Sequence, residues 1–449
     1  MSLDPQRQHA LSDVGRAREH NEDRYLADPA LGLYVVADGM GGHAAGEVAA
    51  ALAVEVFAGA VRRGEGLVQG FARGEAAVRP EALKGLLAEA VREANAAVFD
   101  AARGQDGQRG MGTTLTALLL VRDRAFIAHV GDSRVYLLRG GSVRLLTEDH
   151  SVINELRRRG RLQPEALAQV RHKNAITRAV GIFETVEVDA QMFLAAPGDR
   201  FLLCSDGLSR YIPDEAELVG LLSDLSEEAV TQGLIDLANH RGGVDNITAV
   251  VVTLPETTAR AQVLRDLEHQ YEALSGLPFF RHVPARELLH LQAMARLREV
   301  GPGEAVVQEG SEGDAMYVIV AGRCVVRKGD VELARLGPGE NFGEMSLVER
   351  APRSASVVAE EDTRLLEFSR ADLFRVLRSS PNTGITLLWN LITILVGRLR
   401  ETSTQLGEAR EALLAEDLTA HLFLEEYHTL LPPVGAPAPG SPPRGTPGA

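Results

Sequence analysis

Aspartates recur along this chain in one setting, beside an apolar run and close to glycine: Asp38 before Gly39, Asp132 after Gly131, Asp206 before Gly207, and Asp245 shortly after Gly243. Ahead of the series stands Arg18-Glu19-His20-Asn21-Glu22-Asp23. A buried strand that ends on a carboxylate and turns at glycine offers that carboxylate and a main-chain carbonyl to one hard cation. Taken singly, each Asp-Gly reads as a turn. An ordered series of them reads as one site assembled from distant segments. A second constellation is Phe342-Gly343-Glu344-Met345-Ser346-Leu347, followed by Pro352-Arg353-Ser354-Ala355-Ser356. A glycine turn opening a short helix presents N–H groups to an anion, and a nearby arginine neutralises it. A glutamate in the same place is repelled by phosphate but suits a sugar hydroxyl, which makes a ribose phosphate the natural ligand.

The elements that must carry these residues follow from patterning. Over residues 33–254, short β-branched runs such as LYVVAD, TLTALLLV, AFIAHV and ITAVVV alternate with alanine-rich stretches near 44–63, 81–102 and 226–240 that predict helices. Several strands follow one another without an intervening helix, so the spacing predicts an α+β layered sandwich, not a doubly wound parallel sheet. Residues 298–368 hold many apolar runs broken by glycine and aspartate, the texture of a β jelly roll. Helical periodicity returns after Ser369, where Leu388, Ile392, Leu395, Leu399, Thr402, Leu406, Ala409 and Leu413 form a heptad-like seam. That seam predicts either a homodimer or a helix docked on its own barrel. We therefore expect domains at 5–254 and 276–400, a helical connector at 255–275, a helical or coiled-coil extension at 401–431 and a disordered Pro-rich tail at 432–449.

The whole chain sets further limits. It has 449 residues, 45% of them hydrophobic, and a formal charge of −15, which fits a folded multidomain protein and disfavours nonspecific binding to nucleic acid. Its apolar runs are too short to cross a bilayer, so no membrane partner is expected. The two cysteines, Cys204 and Cys324, lie in apolar strand-like runs, which predicts reduced thiols and a cytoplasmic setting.

Residues 5–254 resemble the metal-dependent, type 2C serine/threonine protein phosphatases, through RxxNED, VADGMGGH, MGTT, HVGDSR, LTEDHS, TRAVG, CSDGL and GGVDNIT. The resemblance implies a four-layer α-β-β-α sandwich with two Mn2+ or Mg2+ ions at one end and phosphoserine or phosphothreonine proteins as substrates. It implies that Asp38 bridges both ions, that the Gly39 carbonyl binds one, and that Asp206 and Asp245 hold the other. Glu22 and Asp23 would act directly or through waters, Asp132 would hold a third ion, and Arg18 would grip the phosphate. All-oxygen donors favour such hard cations over zinc, and the planar fork of an arginine matches a phosphate better than a lysine does. The family histidine proposed as general acid is replaced here by Met40. His43 and a water on the Asp132 ion are both left open for that role.

Residues 277–400 resemble the cyclic nucleotide-binding domains. That resemblance implies Glu344 on the ribose 2′-hydroxyl, Arg353 on the cyclic phosphate, and Gly343, Ser354 and Ala355 in support. Ser354 after the arginine favours cAMP over cGMP. The resulting expectation is a phosphatase governed by a cyclic nucleotide. Its rival is a non-enzymatic nucleotide sensor on a phosphatase scaffold, and the intact Asp38, Asp206 and Asp245 count against that. Cys204 to Arg210 also fits Cys-x-x-Gly-x-x-Arg, the loop of cysteine-dependent phosphatases. Asp206 inside such a loop would repel the substrate, so the match is read as coincidence.

Overall fold

The computed structural model describes residues 6–41, 45–104, 110–158, 175–212, 215–223, 225–255, 261–348 and 351–430. His43, part of the connector and the Pro-rich tail lie outside them. Within the first domain the strands are β1 (Arg7–Asp13), β2 (Asp23–Asp28), β3 (Leu33–Met40), β4 (Gly112–Thr113), β5 (Leu115–Val121), β6 (Arg124–Val130), β7 (Arg134–Arg139), β8 (Ser142–Leu145), β9 (Asp189–Leu194), β10 (Arg200–Cys204) and β11 (Ile247–Thr253). They form two antiparallel sheets, ordered β1-β11-β10-β7-β8 and β2-β3-β5-β6-β9, with β4 pairing the end of β3. This is the α+β sandwich expected from the succession of strands.

Both faces of each sheet are covered, which is why the strands read as continuous apolar runs and not as alternating ones. In β3, Tyr34 and Val36 point between the sheets and meet Val135, Phe201, Leu203 and Val250. Leu33 and Val35 point the other way, against Phe57 of α1 (Ala45–Arg63) and Leu87 and Val91 of the helix Pro80–Gly104. The short helix Glu65–Arg73 between them is α2, so Pro80–Gly104 is α3. On the opposite sheet, Leu202 and Cys204 pack outward against Leu218, Leu222 and Leu234. Those leucines belong to α6 (Glu215–Leu222) and α7 (Glu227–His240), which follow α4 (Val152–Arg158) and α5 (Asp206–Ser209). Ser226 caps α7 by accepting the Ala229 N–H at 3.2 Å.

After the sandwich come α8 (Ala261–Gly276) and α9 (Ala285–Met294), then a barrel of two four-stranded sheets. Its strands are β12 (Arg296–Val300), β13 (Ala305–Val307), β14 (Ala315–Ala321), β15 (Cys324–Lys328), β16 (Val331–Leu336), β17 (Asn341–Phe342), β18 (Ser356–Ala359) and β19 (Thr363–Ser369). They pair as β12-β19-β14-β17 and β13-β18-β15-β16 around Val300, Ile319, Cys324 and Leu365. The short α10 (Met345–Val348) interrupts this barrel, and α11 (Arg370–Ser379) and α12 (Pro381–Leu430) follow it.

The chain up to Leu387 forms one compact unit, and Leu388 onward a second. Inside the first, α8 and α9 are built onto the sandwich. Arg144 makes a two-pronged ion pair with Glu268, at 3.1 and 3.0 Å, and stacks its guanidinium over Tyr271. Leu289 enters the core between the sheets, and His290 Nδ1 donates to the Met192 carbonyl at 3.0 Å. In the second unit, Leu388, Trp389, Ile392, Leu399, Leu406 and Leu413 of the helix are exposed. Among the described residues no helix is long and apolar enough to cross a membrane. Both cysteines are buried and free.

Candidate active site

The acids of the first series meet at one end of the sandwich because the ladders bring their strand ends together. Asp23 and Asp38 are direct cross-strand partners on β2 and β3, so their side chains share a face. Asn246 ties the segment before β2 to the start of β11: its Oδ1 accepts the Glu22 N–H at 2.9 Å, and its Nδ2 donates to the Val14 and His20 carbonyls, each at 2.9 Å. Thr114 links Asp38 to the Asp132 turn. Its Oγ1 accepts the Asp38 N–H at 2.9 Å and lies 2.8 Å from Ser133 Oγ. Gly39 has no room for a side chain, since a Cβ there would lie 2.2 Å from the Gly46 carbonyl oxygen and 2.6 Å from that of Glu22.

The electrostatics of this crowd are unfavourable without a counter-charge. Asp38 is held well above the ordinary carboxylate range by burial and then by Asp23, Asp206, Asp132 and Asp245. Burial raises Asp23 to about 7 against the pull of hydrogen bonds from Thr248 and Ser205 at 2.6 and 2.7 Å. Burial, reinforced by Asp206, also lifts Asp132 to about 7, and burial raises Glu22. Asp23 Oδ1 and Asp132 Oδ1 are both buried without a hydrogen-bond partner. Orphaned buried carboxylate oxygens among oxygen-only donors are the features a hard divalent cation would satisfy.

The convergence is incomplete in one respect. Among the described residues no three His, Cys, Asp or Glu side chains close into a metal-holding group. Asp245 is turned to Arg18, whose Nη2 lies 2.9 Å from Oδ1 and 3.0 Å from Oδ2. Asp206 is turned to Arg210, which also reaches Asp245 at 3.5 Å. Like charges separate, and the two arginines take up the outermost of them. Arg18, expected on a phosphate, is therefore placed on a neighbouring carboxylate.

Ser205, Thr248, Asn246 and Thr114 support the site and are not among the residues singled out by type and spacing, while Arg210, met before as the arginine of the dismissed cysteine loop, pairs with Asp206. The first four lie within CSDGL, GGVDNIT and MGTT, where Ser205 and Asn246 each adjoin an acid, but nothing local in the sequence shows which distant segments they bind. Cys204 is fully buried at the end of β10, and burial pushes its thiol up to about 12. It cannot serve as a thiolate nucleophile.

In the barrel, Gly343 adopts φ +79°, and a Cβ there would meet Arg353 Nη1 at 2.7 Å. The turn therefore needs glycine. Arg353 is folded onto the protein. Its Nη2 donates to the Ala315 carbonyl at 2.8 Å, and its Nη1 donates to Ser346 Oγ at 3.2 Å and to the Gly343 carbonyl at 3.3 Å. Glu344 is buried and accepts from Asn341 Nδ2 at 3.4 Å. Gly343, Glu344 and Arg353 are thus brought to one turn, while Ser354 is exposed and Ala355 half-buried.

Comparison with known proteins identifies two families along the chain. The cyclic nucleotide-binding domain profile matches residues 297–380, and the protein phosphatase 2C profile matches residues 15–241. A serine/threonine phosphatase, stp, of Listeria innocua is 38% identical over 247 residues, covering 54% of this chain and 93% of that protein. Protein phosphatase PhpP of Streptococcus pneumoniae is 34% identical over 254 residues, covering 56% of this chain and 98% of its own length. Among solved structures, the Mycobacterium tuberculosis serine/threonine phosphatase PstP/Ppp matches at 37% identity and TM-score 0.48, covering 56% of this chain and 99% of that one. A PstP catalytic domain in complex with two manganese ions matches at 37% identity and TM-score 0.47, covering 56% of this chain and 99% of that one. The profile match takes in just over half of the chain, and the protein belongs to the protein phosphatase 2C family.

Proposed function

We propose that this chain hydrolyses phosphoserine and phosphothreonine in proteins with Mn2+ or Mg2+ held at the end of the sandwich, and that cyclic nucleotide, cAMP in preference to cGMP, governs that activity through the barrel. The observation that carries the first half is the crowding of Asp23, Asp132, Asp206 and Asp245 about Asp38, with Glu22 in the field of Asp245 and two buried carboxylate oxygens left unpartnered. These side chains and the Gly39 carbonyl would hold two ions, with Asp132 serving a third. The ions would supply an acidified water and charge neutralisation at the phosphoryl oxygens. The chain's own residues do the rest. Ser205 and Thr248 fix Asp23 through Oδ2, leaving Oδ1 as its donor. Thr114 orients the backbone at Asp38. Arg18 sits 2.9 Å from Asp245 at the cleft, where its fork can pass from the carboxylate to a substrate phosphate.

Contacts between the barrel and the sandwich support the regulatory half. Arg370, at the start of α11, donates through Nη1 to the Ser346 carbonyl of α10 at 3.2 Å. The same helix carries Arg375, 3.1 Å from Glu81 of α3, and is followed by Ser380, whose Oγ donates to Glu287 of α9 at 3.1 Å. Arg286, also on α9, pairs with Glu148 of the sandwich at 2.6 Å. A phosphate that draws Arg353 off Ser346 and Gly343 disturbs the turn on which Arg370 rests. Couplings of this kind change activity several-fold to roughly a hundred-fold.

The experiment is Mn2+-dependent dephosphorylation of a phosphothreonine peptide, with and without cAMP. Activity that needs Mn2+ and changes with cAMP supports both halves. Activity and melting temperature that ignore saturating cAMP and cGMP contradict the second half, and no activity with either metal contradicts the first.

A further inference from the structure

Arg210 belongs to no role assigned so far. It follows α5, one turn after Asp206, and its side chain is about one-third exposed at the cleft. Its Nε donates to the Asp206 main-chain carbonyl at 3.3 Å, and its Nη2 engages Asp206 Oδ2 and lies 3.5 Å from Asp245 Oδ2. One guanidinium thus touches both carboxylates that, on the reading above, share a divalent cation. Of these two carboxylates, Arg18 is paired with Asp245. An arginine side chain stays protonated at any working pH, so the cation is permanent.

We infer that Arg210 is a built-in competitor for the metal: it holds Asp206 and Asp245 together in the metal-free protein and weakens the affinity with which a divalent cation binds there. This rests on the metal-site reading of the same carboxylates. Two effects act in one direction. The ion must displace the guanidinium from Asp206, and the displaced charge stays tethered within a few ångströms of the incoming one. A unit charge against a divalent ion at about 5 Å is worth roughly a factor of ten in affinity even at water-like screening. The consequence for function is a phosphatase whose metal occupancy, and hence activity, follows divalent cation concentration over a higher range than its carboxylates alone would set.

The test is Mn2+ binding to the full chain, by calorimetry and by the electron paramagnetic resonance signal of free Mn2+, for wild type, Arg210→Gln, Arg210→Lys and Asp38→Asn. Arg210→Gln is expected to bind about tenfold more tightly, with Arg210→Lys between it and wild type. In chelator Arg210→Gln is expected to melt lower than wild type, and on adding Mn2+ its melting temperature should rise further. Unchanged or weaker Mn2+ binding by a folded Arg210→Gln, with wild type binding and Asp38→Asn impaired, overturns this inference alone. Wild type that binds no Mn2+, or binds it as well as Asp38→Asn does, overturns the metal-site reading and this inference together.

Discussion

At the scale of single residues, the site is a set of charges that oppose folding until something neutralises them. Asp38 faces four other carboxylates, so removing its charge has opposite effects on catalysis and on stability. Asp38→Asn is expected to lose phosphatase activity by at least a hundredfold while melting higher than wild type in chelator, a comparison that activity assays and thermal denaturation of one preparation provide. A lower melting temperature would mean that Asp38 is held by favourable contacts and not by crowding. Asp38, Asp132 and Asp206 were legible in the sequence because each adjoins glycine beside an apolar run, and Asp245 because it comes two residues after Gly243. Their hydroxyl and amide partners were not, since Ser205, Thr248 and Asn246 reach segments about two hundred residues away. Nor was the pairing of Arg18 and Arg210 with the outer aspartates, which depends on where charge accumulates once the strands are assembled.

At the scale of elements, two buried polar contacts fix how strands and helices sit. Arg139 at the end of β7 and Asp199 just before β10 form a two-pronged pair, at 2.8 and 2.6 Å, with both side chains essentially inaccessible. Asp199 also accepts the Ala196 N–H, and Arg139 also donates to the Leu194 carbonyl. Arg139→Met leaves a buried carboxylate uncompensated and is expected to cost about 3–5 kcal/mol, measured by urea denaturation. His290 of α9 is buried and held neutral, its pKa pushed down from 6.5 to about 4 by desolvation and by Lys84 and Arg375. A group depressed in this way contributes no penalty above pH 6.5, where both states are neutral. As pH falls from 6.5 toward 4 the unfolded chain takes up a proton that the folded chain refuses, and stability falls by up to about 3 kcal/mol. His290→Gln should flatten that acid slope of melting temperature against pH, and an unaltered slope would place the titration elsewhere. Strand and helix positions were readable from periodicity, because apolar runs covered on both faces and alanine-rich helices leave plain signatures. The docking of α8 and α9 on the sandwich was not, because Arg144, Glu268 and His290 carry no local pattern.

At the scale of the whole molecule, a phosphatase sandwich and a nucleotide-type barrel share one compact unit that ends at Leu387. The seam of the terminal helix, including Leu399, Leu406 and Leu413, is exposed. The heptad was visible in the sequence because it is local, but what covers it is decided by surfaces far away in the chain. The central claim, that convergent carboxylates hold divalent ions for phosphoester hydrolysis, is tested most directly by Mn2+-dependent release of phosphate from a phosphothreonine peptide by wild type and Asp38→Ala. The account predicts turnover by wild type that chelator abolishes and Mn2+ restores, with none by the variant at any Mn2+ concentration. Undiminished turnover by a folded Asp38→Ala would contradict it.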